Sequence, residues 1–167
     1  GLPRYNPVRI DCAAAWLSAV GPLGSLANIL WENLAVDPVT RDIYLMTGGG
    51  PTSFVLWRLH WDGRSADAEK IETVANLSVG AAEPRGMCAD SSGTIYIVFD
   101  GNDNWRRIVS VAAGGVVDYD FFNFFSYYGS KSEEPGRWGD IAYRGGRLYV
   151  IDRRNDRLVV ISRTGEW

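Results

Sequence analysis

The sequence predicts an all-β chain of short antiparallel strands in a repeat of a little over fifty residues, and three observations carry that prediction. Apolar runs are short and end at turn residues. One strand–turn–strand pattern occurs three times, at "WENLAVDPVTRDIYLM", "PRGMCADSSGTIYIVF" and "WGDIAYRGGRLYVID". Each copy places a tyrosine alike (Tyr44, Tyr96 and Tyr149), 52 and 53 residues apart. Four short strands at this period are the pattern of a β-propeller blade, which buries its faces by stacking against neighbouring blades.

The elements follow in order within a single propeller-type domain, 1–167. Residues 1–30 hold "PVRIDCAAAWLSAV", expected as an outer strand, and the connector "GPLGSLANILW". Blade one, 31–80, has a first strand at Leu34–Val36, a turn at Asp37-Pro38, a second strand with Tyr44, and the loop "TGGGPTS". Its third strand opens at Arg58-Leu59, turns at Asp62-Gly63, and leads to a fourth strand around Ile71–Leu77. Blade two, 81–135, repeats this with Met87–Ala89, Asp90-Ser91-Ser92-Gly93, Tyr96, Arg107-Ile108, Gly114-Gly115 and a fourth strand around Val116–Phe125. Blade three, 136–167, has Ile141–Tyr143, Arg144-Gly145-Gly146, Tyr149, Arg157-Leu158 and Thr164-Gly165, but only three strands. Three blades are too few for a ring, which takes roughly four to eight. The N-terminal strand of one copy is therefore expected to complete the third blade of another in a six-bladed ring, unless the chain is half of a longer polypeptide. Unpaired strand edges favour association in either case.

The segment "LYVIDRRNDRLVVIS" resembles the NHL-type repeat, with Asp152, Asn155 and Arg157 in its Asp, Asn and Arg positions. Blade two matches more loosely through Asp100, Asn104 and Arg107, and blade one departs with Thr47 in place of the Asp. The resemblance covers roughly Trp31 to Thr164 and speaks for the fold, since propellers host many unrelated activities.

Composition bounds the function. A net charge of −3, with 22% charged residues, gives nucleic acid no electrostatic footprint. No apolar run is long enough to span a membrane, because Gly21-Pro22 and Gly24 interrupt the one candidate, Ala13–Leu30. Cys12 and Cys88 are too few for a disulfide framework, and both thiols are expected free. Asn76-Leu77-Ser78 is a glycosylation sequon, meaningful only in a chain secreted by a eukaryote. With the absent initiator Met and only two lysines, Lys70 and Lys131, it turns the expectation toward an extracellular glycoprotein.

No nucleophile elbow, phosphate loop or triad spacing is present, so no catalytic residue is assigned. The least generic stretch is "VVDYDFFNFFSYYGS". There Tyr119, Phe121, Phe122, Phe124, Phe125, Tyr127 and Tyr128 lie on or after an outer strand, and apolar rings in water mark an interface. A ligand face is expected where loops enter first strands and join second to third strands. It would carry Glu32, Asn33, Asp100, Asp103, Trp138, Asp140 and Asp152. "DGNDN" has oxygen ligands that suit calcium but lacks the EF-hand spacing, and Asp-Gly is a turn former in any case. No cofactor or metal site is therefore assigned, calcium being the one ion considered.

Three functions compete. The leading reading is a non-enzymatic structural or protein-interaction module that assembles with copies of itself or with partner chains. A carbohydrate-binding propeller is the alternative, from seven Trp and the equivalence of Trp31 and Trp138, though blade two has Pro84 there. A metal-dependent lactonase or hydrolase comes third. It rests on Glu32, Asn33, Asp100 and Asp140, and on a resemblance to gluconolactonase-like propellers that the surrounding sequence does not sustain. The lone histidine, His60, is expected to pack or face solvent rather than to catalyse.

Overall fold

The computed structural model describes residues 29–50, 52–60, 70–101, 106–124, 138–153 and 155–166. They form three antiparallel sheets, each from consecutive strands. Blade one is β1 (Ile29–Val36), β2 (Ile43–Gly50), β3 (Ser53–His60) and β4 (Lys70–Ser78), in that spatial order. Blade two is β5 (Glu83–Ala89), β6 (Ile95–Asp100), β7 (Arg107–Val111) and β8 (Val117–Asn123), again in order. Blade three is β9 (Trp138–Arg144), β10 (Arg147–Asp152) and β11 (Arg157–Ser162). The all-β propeller fold is as the repeat predicts. The expected N-terminal outer strand and the Asp62-Gly63 turn lie outside the described residues, as does Cys12, while Cys88 is a free thiol. No helix among the described residues is long and apolar enough to cross a membrane.

Local chemistry sets each hairpin. Asp37 Oδ1 accepts the amides of Val39 and Thr40 at 2.7 and 2.9 Å, and Asp90 Oδ1 accepts those of Ser92 and Thr94 at 2.8 and 3.0 Å. In both loops the carboxylate imitates a backbone turn. Blade three replaces the device with Gly145 and Gly146, at φ +59° and +80°, the left-handed pair that a two-residue hairpin requires. The turn after β11 is built like the one that launches β8. Ser162 N–H donates to Glu166 O at 2.6 Å, as Ala112 N–H donates to Val116 O at 2.9 Å. Among the described residues no strand lies beside the outer edge of β11.

The core lies between sheets. One cluster joins Tyr44, Met46 and Leu56 of blade one to Ile95, Ile97 and Phe99 of blade two. The next joins Tyr96, Val98 and Ile108 of blade two to Leu148, Val150 and Val159 of blade three. Since side chains alternate across a strand, Tyr44 and Tyr96 point toward the blade that follows, and Ile95 and Leu148 toward the blade that precedes. Strand β6 is covered on both sides, and all six of its residues are buried. Inner strands approach closely enough that a Cβ on Gly86 of β5 would sit 2.9 Å from Asp140 Cα of β9.

Candidate interaction surfaces

Register places the repeats residue for residue. Ala35 pairs with Tyr44, Cys88 with Tyr96, and Ala142 with Tyr149, so the three tyrosines share one position on the face toward the following blade. On that face Met46 and Leu56 correspond to Val98 and Ile108, and these to Ile151 and Leu158. The first two pairs are buried by the next blade, whereas Ile151 is 44% and Leu158 57% exposed, with Tyr149 half-buried. The opposite face behaves alike. Met87 and Ile141 are buried against the blade before them, but their counterpart Leu34 is 54% exposed. Val36, the counterpart of buried Ala89, is 50% exposed. Farther out on that face, Trp57 and Leu59 are buried and pack with Ile43, Leu45 and Val55. The two end sheets thus carry apolar residues that the repeat buries everywhere else. Sequence reading passed over Leu34, Val36, Ile151 and Leu158, although their repeat positions were apolar in every copy.

The aromatic strand turns mostly inward. Phe122 and Phe124 are buried between blades two and three, and the Phe124 ring stacks on Trp138 at 3.6 Å between centroids. Phe121 is half-buried and meets Tyr96 at 5.1 Å. Tyr119 is half-buried against the first cluster, and its hydroxyl accepts from Ser78 N–H at 3.2 Å. Phe125, Tyr127 and Tyr128 lie outside the described residues.

The expected ligand face divides similarly. Asp152 is fully buried; its Oδ2 accepts from Asn155 Nδ2 at 2.8 Å and Arg157 Nε at 3.0 Å. It thereby ties β10 to the loop and to β11. Thr47 holds the same register position in blade one and accepts from Trp57 Nε1 at 2.9 Å. In blade two the position belongs to Phe99, opposite Arg107, and not to Asp100 as the sequence pattern had aligned it. One residue of displacement puts a side chain on the other face of its sheet. Asp100 therefore turns toward blade three, with Arg106 Nε at 3.7 Å and Arg85 Nε at 3.8 Å. Arg107 instead bonds Asp120 at 2.8 Å. Trp138 is buried, and Asp140 is exposed with Oδ1 accepting from the Ile141 amide at 2.8 Å. Glu32 and Asn33 lie on β1 with side chains outside the description, and Asp103 lies outside it altogether.

Other titratable groups have structural partners. His60 lies between Asp42 (Nδ1 to Oδ1, 3.0 Å) and Glu72 (Nε2 to Oε1, 3.3 Å), and Glu72 also binds Arg58. Burial pushes the Cys88 thiol up to about 12, helped by the negative charges of Asp140 and Asp90, so the thiol stays protonated and unreactive. Burial works against the charge of Asp90. The Ser92 hydroxyl, the amides of Thr94 and Ser92 and the Tyr96 hydroxyl outweigh it and hold the carboxyl below its ordinary range. Tyr96 is raised, first by burial and then by the charge of Asp90. Among the described residues no three His, Cys, Asp or Glu side chains are grouped to hold a metal ion.

No family model matches the chain, and no curated protein does. Its fold is similar to that of a chain in the crystal structure of a nidogen/laminin complex, with a TM-score of 0.51 at 17% identity. The match covers 78% of this chain and 42% of that one, so this chain spans less than half the length of the solved chain.

Proposed function

We propose that this chain is a non-enzymatic protein-interaction module, a set of NHL-like propeller blades that assembles with copies of itself or with partner chains. One observation carries the reading: side chains at repeat positions that are buried between blades stand exposed on both end sheets, Leu34 and Val36 on one and Ile151 and Leu158 on the other. Contiguous apolar surface on a soluble domain marks an interaction site, and the outer edge of β11 adds an open strand edge among the described residues. The similar solved chain comes from a complex of two proteins, which accords with the reading. Tyr119 and Phe121, half-buried on β8, belong to the surface such a partner would meet.

The glycan reading has less behind it, because Trp138 is buried in the core rather than presented in a pocket. An extracellular setting rests on the sequon: Asn76 and Ser78 are both exposed on the outer strand β4. Native mass spectrometry of the protein from its source, beside its denatured mass, tests the assembly reading. A native mass above that of one chain supports it, and stable folded monomers at micromolar concentration overturn it.

A further inference from the structure

Resting on that reading, we infer that the partner is a second copy of this chain, docked end to end: the following face of blade three covers the preceding face of blade one, twice over, in a closed two-copy ring. Within the chain, blades meet in one way only. The face bearing the repeat tyrosine packs on the opposite face of the next sheet, from blade one to blade two and again from blade two to blade three.

Both halves of that contact are present at the ends. Blade three offers Tyr149, Ile151 and Leu158 where blade two uses Tyr96, Val98 and Ile108 to hold its neighbour. Blade one offers Leu34, Ile43 and Leu45 where blade three uses Ile141, Leu148 and Val150 to receive it. Because the two faces differ, like cannot pair with like by the same geometry. A contact between unlike patches gives either an open fibre or a closed ring. Three blades from each of two copies make six, within the roughly four to eight at which propellers close. Closure then buries both kinds of end face in both copies and leaves none to recruit a third.

The test uses the 167-residue chain in sedimentation equilibrium, with Leu34→Asp on one face and Ile151→Asp on the other. Both positions are about half exposed, and circular dichroism confirms that each variant folds. A variant that does not fold is replaced by Leu34→Ser or Ile151→Ser, read in the same way. The parent chain is expected to sediment as a dimer. A well-buried interface residue is worth about thirtyfold in affinity. Each variant alters both contacts of the ring, so about a thousandfold weaker dimerisation is expected for each alone. Mixing the two variants restores a dimer, since one contact then joins two unaltered faces.

Failure of mixing to restore association overturns the end-to-end arrangement, as does a dimer that neither substitution weakens. Native mass spectrometry separates this inference from the broader reading. A complex with a different protein, or a source chain whose further blades cover these faces, ends the two-copy ring and leaves the interaction module standing. A folded monomer at high concentration ends both.

Discussion

Gly86→Ala tests whether the inner strands are as close as the structure places them. The added Cβ would lie 2.9 Å from Asp140 Cα and 3.1 Å from Ile141 N, both backbone atoms that no rotamer change can move. Carbon atoms pack best at about 3.5–4.0 Å, so β5 and β9 must part by roughly 0.6–1 Å, and a gap of that size forfeits a quarter to a half of each contact it opens. Overpacking of this kind costs about 1–3 kcal/mol. Loss of unfolded-chain freedom on replacing glycine returns about 0.4–1 kcal/mol. The net expectation is a destabilisation of about 2 kcal/mol, or about 4–8 °C in Tm for a domain of this size.

Two controls separate crowding from backbone conformation. A Cβ on Gly146 meets nothing within 4 Å but must adopt φ +80°, which costs about 1–2 kcal/mol before the same entropic return. On Gly114 it meets nothing within 4 Å and the backbone is not left-handed, so Gly114→Ala is expected to be neutral or stabilising by about 0.5 kcal/mol. Urea unfolding at one fixed protein concentration ranks the three. A Gly86→Ala protein as stable as the parent, or no less stable than Gly114→Ala, refutes the close approach of blades two and three.

Asp152→Ala removes the acceptor shared by Asn155 and Arg157 and is expected to destabilise by about 2–3 kcal/mol in urea unfolding, the range for hydrogen bonds to a charged group. Asp90→Asn is expected to cost about 1–3 kcal/mol at neutral pH. Because the folded carboxyl titrates lower than the unfolded one, the stabilisation is complete above roughly pH 4 and fades as pH falls through the folded value. The parent and variant curves should therefore converge in acid, and a gap that stays constant contradicts the Asp90 network. In a Cys12→Ser background, Cys88 is expected to react with a thiol reagent at pH 8 more than about a thousandfold slower when folded than when unfolded, since its thiol is pushed up to about 12. Fast labelling of the folded protein would place Cys88 outside the seam between blades two and three.

Strand order and turn chemistry were readable because they are local. Asp37, Asp90 and the Gly145-Gly146 pair mark their hairpins by residue type alone, and the tyrosine spacing fixed the repeat before any contact was known. Facing was harder to read. Strand β6, "IYIVFD", is buried on both sides, so it has no apolar–polar alternation to show which way each residue points. That is why Asp100 aligned by eye with Asp152, although register gives the position to Phe99. The aromatics of β8 misled for a related reason. Composition flags rings that need cover, but Phe124 finds its cover in Trp138, a residue distant in sequence. The exposed ends were legible only after the sheets were counted and their faces compared, because Leu34 and Ile151 look like ordinary strand residues in isolation.

The glycine turns that follow third strands have a further consequence. Gly115 would place a Cβ 2.5 Å from Val74 O of β4, and Gly165 would place one 2.6 Å from Phe121 O of β8. Each blade therefore carries, in one short hairpin, the plug that fits the outer strand of the blade before it. With plug, socket and seam all contained in a single unit of about fifty residues, duplicating that unit in the gene lengthens the array without inventing a new contact. A blade can be added or removed by recombination, and the junction it leaves is one the protein already knows how to pack.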